Sequence, residues 1–293
     1  MYMEEYKDYL INVKKISQNP LAAYIGDIEE FSAFLKEKGV NSPADAKNTE
    51  VVSYLLKLRE DGKSAATVNR KLASVRMFYK YLTEKKVISD NPAASIKSVK
   101  IEKKGIEYLT IEEVDRLLSL PDDSLKGKRD KAILEVLYAT GIRVSELVDV
   151  KLYDVNIRMG FISCTGERSK ARIIPLGRPA RAALEEYIYD VRKAFVRGNK
   201  KEETLFVNYH GGKLTRQGLW KIIKDYAQKA DIGSKITPQT LRNSFAVHMV
   251  QNGADLKSLQ ELLGHEDISA TQIYLSVTKN RIKDVYDRTH PRA

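Results

Sequence analysis

From residue 3 to residue 86 apolar side chains recur every three or four positions, the period that gathers them on one face of an α-helix. Four runs carry the pattern: MEEYKDYLINVKKI, NPLAAYIGDIEEFSAFLKEKG, TEVVSYLLKLREDG and SAATVNRKLASVRMFYKYLTEKK. Gly39 and Gly62 close the second and third, because glycine accepts the left-handed backbone on which helices often end. Together they predict an N-terminal four-helix bundle over residues 1–97. The following NPAASIKSVKIEKKG breaks the period with a proline, small residues and lysines. It predicts a basic linker over 98–107, ahead of a second domain over 108–293.

In that second domain Thr110 and Glu113 have capping-box spacing and open a helix reaching about Ser119. GKRDKAILEVLYATG is helical to Gly141, and RVSELVDV adds a short helical turn. The period then changes to two, so that GFISC and ARIIPL are predicted strands joined by the turn TGERSK. Helix returns over 178–196, and TLFVNY is predicted as a third short strand. TRQGLWKIIKDYAQKA, PQTLRNSFAVHMVQNG, DLKSLQELLG, SATQIYLSV and KNRIKDVYDRT are predicted helices. The fold class is therefore mainly α with a small β-sheet, the second domain being α+β.

Charge narrows the choice of partner. Fifty Lys and Arg against 39 Asp and Glu leave a formal charge of +11, which predicts a polyanion: nucleic acid or an anionic membrane surface. No apolar run approaches the ~18 residues of a membrane span. The opening MYMEEYKDYL has acids and tyrosines where a signal peptide needs a basic and then an apolar segment. A cytoplasmic protein without membrane partners is expected. The single Cys164 excludes an internal disulfide, and His210, His248, His265 and His290 lack metal-ligand spacing, so neither metal nor cofactor is expected.

The fourth helix interleaves Lys63, Arg70, Lys71, Arg76 and Lys80 with Asn69, Ser74, Tyr79 and Tyr81. That composition suits a helix lying in a DNA major groove, with Arg70, Lys71, Arg76 and Lys80 as the contacts. The same residues also read as an amphipathic helix whose Val68, Leu72, Val75 and Phe78 face a core while its cations are hydrated. Both readings stand on the sequence alone.

Breaking a phosphodiester without a metal or activated water requires a side-chain nucleophile, cations on the non-bridging oxygens and an acid for the leaving alkoxide. Arg143, after the helix-ending ATGI, and Arg242, within TPQTLRNSF, could hold one phosphate, since a guanidinium fork matches phosphate oxygens in bidentate fashion. His265 follows Gly264 at a helix end, and Tyr274 supplies a phenolic oxygen.

ATGIRVSEL, the hairpin ending KARIIPLG, the stretch TPQTLRNSFAVHMVQNGADLKSLQELLGHEDISATQIYLSV and the terminal HPRA resemble the tyrosine recombinases, specifically the Xer group, and the likeness spans nearly the whole chain. It implies that Arg143 and Arg242 are the two catalytic arginines, His265 the histidine of the Leu-Gly-His motif and Tyr274 the nucleophile. It further implies a two-domain C-shaped clamp on double-stranded DNA, with an N-terminal core-binding domain and a catalytic domain. A homotetramer, or a tetramer with a related recombinase, would assemble on two sites. Strand exchange would pass through a 3′-phosphotyrosine and a Holliday junction without metal or ATP.

Two positions depart from the family pattern. Gln239 stands where a His or Lys is usual, and Glu167 stands where the hairpin usually carries the lysine acid, leaving Lys170 to match the second hairpin lysine. Chromosome dimer resolution is the leading expectation. Mobile-element integration, a DNA-binding relic weakened at Gln239 and Glu167, and a type IB topoisomerase-like activity are the alternatives. Ile282, Val285 and Tyr286 of the last helix have the spacing to dock on an adjacent subunit.

Overall fold

The computed structural model describes residues 2–16, 18–101, 105–166, 169–199, 201–232 and 236–275. It separates into two compact units, residues 1–104 and 105–293.

The first unit comprises α1 (Tyr2–Asn12), α2 (Gln18–Glu37), α3 (Asn48–Glu60) and α4 (Ala65–Glu84). Its core joins Leu10, Ile28, Phe31, Leu35 and Val51 to the α4 face Val68, Leu72, Val75 and Phe78. Large aromatic rings supply much of the buried surface, and most carry a hydroxyl that needs an acceptor. Tyr54 donates to Glu30 at 3.1 Å, Tyr79 to the Pro43 carbonyl at 3.0 Å and Tyr81 to Glu5 at 3.1 Å.

The polar side chains of α4 are turned to internal use. Asp27 is 4 % exposed, and a buried carboxylate requires compensation. Lys71, itself only 6 % exposed, donates to Asp27 at 3.1 Å and to Glu30 at 2.7 Å, while Ser74 donates to Asp27 at 2.7 Å and Arg70 pairs with it too. Asn69 exchanges two 2.8 Å hydrogen bonds with the backbone of Val99. Arg76 donates to the Ala93 carbonyl at 3.1 Å and also to that of Ile96. Residues 91–99 are thereby strapped along α4, with Ala93 fully buried. Of the four cations expected on a DNA-reading face, Lys71 points inward and Arg70 and Arg76 are engaged. Lys80 stays open, its side chain 60 % exposed beside Glu84.

The second unit begins with α5 (Ile111–Ser119), α6 (Leu125–Thr140) and α7 (Val144–Asp149). Thr110 accepts from the Glu113 backbone at 3.2 Å and Glu113 reaches back at 2.8 Å, closing the capping box. A three-stranded antiparallel sheet follows in the order β1 (Val155–Asn156), β2 (Phe161–Gly166), β3 (Ser169–Pro175). Then come α8 (Arg178–Glu186), a π-helical turn over Tyr187–Val191, α9 (Arg192–Phe195), α10 (Arg216–Lys229), α11 (Pro238–Gln251), α12 (Leu256–Leu263) and α13 (Ser269–Gln272).

Three expectations are corrected. TLFVNY is no ladder strand: Thr204 and Val207 make only isolated bridges, to Lys151 and Lys213. Its Leu205, Phe206 and Val207 are buried as an irregular segment, so an apolar run alone did not distinguish a strand from a core loop. The third strand is instead β1, too short to carry a period. Within SATQIYLSV the helix over Ser269–Gln272 is interrupted by a turn at Ile273 and Tyr274, and the last two residues lie outside the described ones. The segment KNRIKDVYDRT, with Ile282, Val285 and Tyr286, lies outside the described residues.

α6 and α11 form the centre of this unit. Ala132, Ile133, Leu134, Val136 and Leu137 of α6 are buried, as are Leu241, Phe245, Ala246 and Val247 of α11. A helix apolar on several sides is an interior helix. Gly141 ends α6 at φ 56°, and a Cβ there would lie 2.5 Å from the Phe245 ring. Glycine is thus required both by the backbone and by the close approach of α11. Among the described residues no helix is long and apolar enough to cross a membrane, and no His, Cys, Asp and Glu cluster could hold a metal ion.

Candidate active site

The last turn of α12 organises the site. Its final carbonyls have no partner within the helix and form the negative end of the helix dipole. Each meets a different arginine. Arg172 of β3 donates through Nε to the Leu262 carbonyl at 2.7 Å, Arg242 of α11 to that of Leu263 at 2.7 Å, and Arg143, at the N-cap of α7, to that of Gly264 at 3.2 Å. Gly264 turns the chain at φ 62°, and a Cβ there would fall 2.9 Å from the Arg172 guanidinium. The Leu-Leu-Gly stretch is therefore the frame on which three guanidiniums are hung.

Glu146 is their counter-charge. It lies at the third position of α7, accepts from the Arg143 backbone at 2.9 Å and side chain at 3.0 Å, and receives both arms of Arg172 at 3.0 and 2.8 Å. Burial alone would raise its pKa, but the hydrogen bonds and charges of Arg172 and Arg143 prevail and hold it at about 2. One carboxylate against three guanidiniums leaves excess positive charge. The Arg143 side chain, 37 % exposed, is where that charge meets solvent. Arg242 is 3 % exposed and also donates to the Gly141 carbonyl. Burial, with Arg143 nearby, lowers its pKa to about 10, which leaves it charged at neutral pH.

His265 follows Gly264. Its Nε2 lies 3.0 Å from the Arg242 guanidinium and its Nδ1 lies 2.9 Å from Thr271 Oγ1. An arginine only donates, so Nε2 must accept and Nδ1 carries the proton given to Thr271. Burial, followed by the charges of Arg242, Arg143 and Arg172, lowers the imidazole pKa from 6.5 to about 4. Between those pH values the unfolded chain binds a proton that the folded chain refuses, so stability falls as pH drops from 6.5 towards 4 and levels below it. His265→Gln should flatten that limb of a melting-temperature profile. A profile as steep as wild type between pH 6.5 and 4 would exclude His265 as its source.

Tyr274 lies just beyond α13 and is 1 % exposed, packed in a small cluster with Phe245, Val247, Leu259 and Leu263. Its hydroxyl donates to Asn243 Oδ1 at 3.2 Å. Burial raises the phenol pKa, partly opposed by Arg242 and Arg143, so both cations act on it electrostatically. Gln239, in the first turn of α11, is exposed and donates to the same Asn243 oxygen at 3.0 Å. Glu167 and the side chain of Lys170 lie outside the described residues.

Arg143, Arg242 and His265 are thus joined in one hydrogen-bonded frame, with Tyr274 in the adjoining cluster. Glu146, Arg172 and Asn243 complete it and were not singled out from sequence. Glu146 had a signal, since it stands at the capping-box distance from Arg143. Cys164 is no second nucleophile: burial pushes its thiol up to about 12. Three guanidiniums against one carboxylate make the cluster electrostatically suited to an anion such as a phosphodiester.

Residues 107–281 match the phage integrase family and residues 3–86 match the phage integrase N-terminal SAM-like domain. Tyrosine recombinase XerD of Listeria monocytogenes serotype 4b is 44 % identical over 293 residues, covering 99 % of each chain. That of Oceanobacillus iheyensis is 42 % identical over 292 residues, covering 99 % of this chain and 98 % of the relative. Among solved structures, XerH recombinase bound to palindromic difH substrate in a post-cleavage complex aligns with TM-score 0.78 at 22 % identity, over 97 % of this chain and 82 % of that one. A lambda integrase (75-356) dimer bound to a COC′ core site aligns with TM-score 0.75 at 18 % identity, over 93 % of each chain.

Proposed function

Because this chain belongs to the phage integrase family and is a Xer-type site-specific tyrosine recombinase, we propose that Tyr274 is the nucleophile that opens each DNA strand. The observation carrying this reading is the hanging of Arg143, Arg242 and His265 on one helix end beside the buried phenol. The Tyr274 oxygen attacks phosphorus, the bond to the 5′-oxygen breaks, and the enzyme keeps a 3′-phosphotyrosine. Arg143 and Arg242 take the non-bridging oxygens, where a preorganised charge contact typically contributes ~3 kcal/mol or more. As the phosphate draws off the Arg242 donor, the lone pair of His265 Nε2 is freed. The anion also offsets the charges that depress the imidazole, so His265 gains the basicity to receive the phenol proton.

Lys170 is proposed as the acid that protonates the leaving 5′-oxygen, with Glu167 unable to serve while ionised. Lys170→Ala should slow cleavage of ordinary DNA yet largely spare a substrate with a 5′-bridging sulfur, whose thiolate departs without a proton. Equal losses on both substrates would remove Lys170 from that role. Gln239 cannot titrate, so its part is to donate a hydrogen bond, and Gln239→His should leave activity similar or raise it.

On this reading the first unit is the core-binding domain and the second the catalytic domain. A tetramer on two sites exchanges strands through a Holliday junction in the cytoplasm, and chromosome dimer resolution is the role proposed. Truncation after Val277 should abolish tetramer assembly on DNA, read by mass photometry, because it removes the segment proposed to dock on a neighbour. A fully active truncated tetramer would refute that exchange. The central experiment is a nicked duplex carrying the site that footprinting selects from genomic DNA. The cut strand's short end diffuses away, so a recombinase accumulates as a covalent adduct, whereas a binding relic gives none. Relaxation of supercoils by the protein alone would favour the topoisomerase-like alternative.

A further inference from the structure

We propose that Asn243 is a positioning residue that latches the nucleophile in a withdrawn, unreactive place until DNA is bound. The inference rests on Tyr274 being the nucleophile, as proposed above.

The orientation of the Asn243 amide follows from its partners. Nδ2 donates to the Glu107 carbonyl at 2.9 Å, which can only accept, so the oxygen must face the other way. There Oδ1 accepts from Gln239 at 3.0 Å and from the Tyr274 hydroxyl at 3.2 Å. The phenol therefore points its proton at an amide oxygen, which is far too weak a base to remove it. An attacking phenolate in that place would face the negative end of the amide dipole. Among the described residues the Tyr274 hydroxyl makes no other hydrogen bond, although its ring is 1 % exposed. The contact stabilises the phenol and disarms it together, so cleavage requires that the phenol leave Asn243.

Arg242 is the adjacent residue on α11, its side chain about 100° around the helix. The same turn thus offers the phenol a neutral acceptor at rest and a cation once its oxygen becomes anionic. The outer anchor of the latch, Glu107, lies near the beginning of the second unit. Its neighbours Ile106 and Tyr108 pack against the cluster that holds Tyr274, and the Leu109 backbone donates to Ser244 at 2.8 Å. The nucleophile and the stretch opening the second unit thus share a support.

The test uses the full-length protein with 3-fluorotyrosine at position 274, followed by fluorine NMR without DNA, and the nicked duplex described above for single-turnover adduct formation. In wild type the fluorine should be shielded from solvent and the phenol should resist titration. Asn243→Ala leaves a buried hydroxyl without its acceptor, so the resonance should move to a solvent-exposed position. The adduct should then form about fivefold faster, the weight of one neutral hydrogen bond, with duplex affinity unchanged. A general loss of packing would instead lower affinity and rate together. If Asn243→Ala melts too low to measure, Asn243→Ser keeps a polar side chain but is too short to hold the phenol, and it should move both readouts the same way. An unmoved resonance, or an adduct rate no faster than wild type, overturns the latch. Tyr274→Phe on the same duplex separates the two readings: an adduct there overturns the nucleophile itself, whereas its absence beside an unaccelerated Asn243→Ala overturns the latch alone.

Discussion

Tyr274→Phe should form no covalent adduct on a nicked duplex while binding that duplex with nearly the affinity of wild type. The substitution removes one oxygen and keeps the ring, whose neighbours Phe245, Val247, Leu259 and Leu263 stay in place. The hydrogen bond lost is the 3.2 Å contact with Asn243, and a neutral hydrogen bond of this kind contributes about 1 kcal/mol net. Melting temperature should therefore barely change, and a gel-shift titration should superimpose on wild type. Adduct is read as a slower band on a denaturing gel, where the expected loss is complete because no other atom can take the place of the missing oxygen. An adduct that persists would move the nucleophile elsewhere, with Tyr286 the first residue to examine.

Arg242→Ala should lose cleavage by orders of magnitude and, unlike Arg143→Ala, should also lower stability. Removal of one transition-state donor typically slows a reaction about 10²- to 10³-fold. Both arginines should show at least that loss in single-turnover adduct formation. Their structural roles differ. Arg143 is partly exposed, and without it Glu146 keeps both arms of Arg172. Arg242 is buried and holds the Gly141 carbonyl, the Leu263 carbonyl and His265 Nε2. Its loss leaves buried acceptors unsatisfied, at about 1–3 kcal/mol for each such group. Thermal melting should separate the pair, with Arg242→Ala clearly lower and Arg143→Ala near wild type. Undiminished cleavage in Arg242→Ala would reject the arginine pair as the phosphate clamp.

Long amphipathic helices and their caps were legible in the sequence because their period and their end residues are local properties. Thr110 with Glu113, and the glycines closing α2, α3 and α6, show this directly. Elements defined by tertiary contact were less legible. Leu205, Phe206 and Val207 form an apolar run that resembles a strand, yet they fill the core without joining a ladder. Arg143, Arg242, His265 and Tyr274 stood out because a family resemblance ordered them, not because any one is distinctive alone. Glu146, Arg172 and Asn243 escaped because their importance lies in which carbonyl, guanidinium or hydroxyl they meet across the fold. Lys71 shows the converse. A lysine among other cations suggests a DNA contact, but Asp27, 44 positions away, draws it into the interior.

The strap of residues 91–99 along α4 bears on where this recombinase can be recombined with another. An engineer seeking new site preference would graft a foreign N-terminal domain onto this catalytic half, and the basic stretch after residue 97 looks like a natural seam. Asn69 and Arg76 place the seam later. A crossover at residue 90 would keep Ala93, Ile96 and Val99 but replace Asn69 and Arg76 by foreign residues. It would thus leave the carbonyls of the strap and the Val99 amide facing a helix that did not evolve to pair with them. A crossover after Val99 carries the strap with its own helix, and libraries of chimaeras joined there should yield more folded members than libraries joined at residue 90.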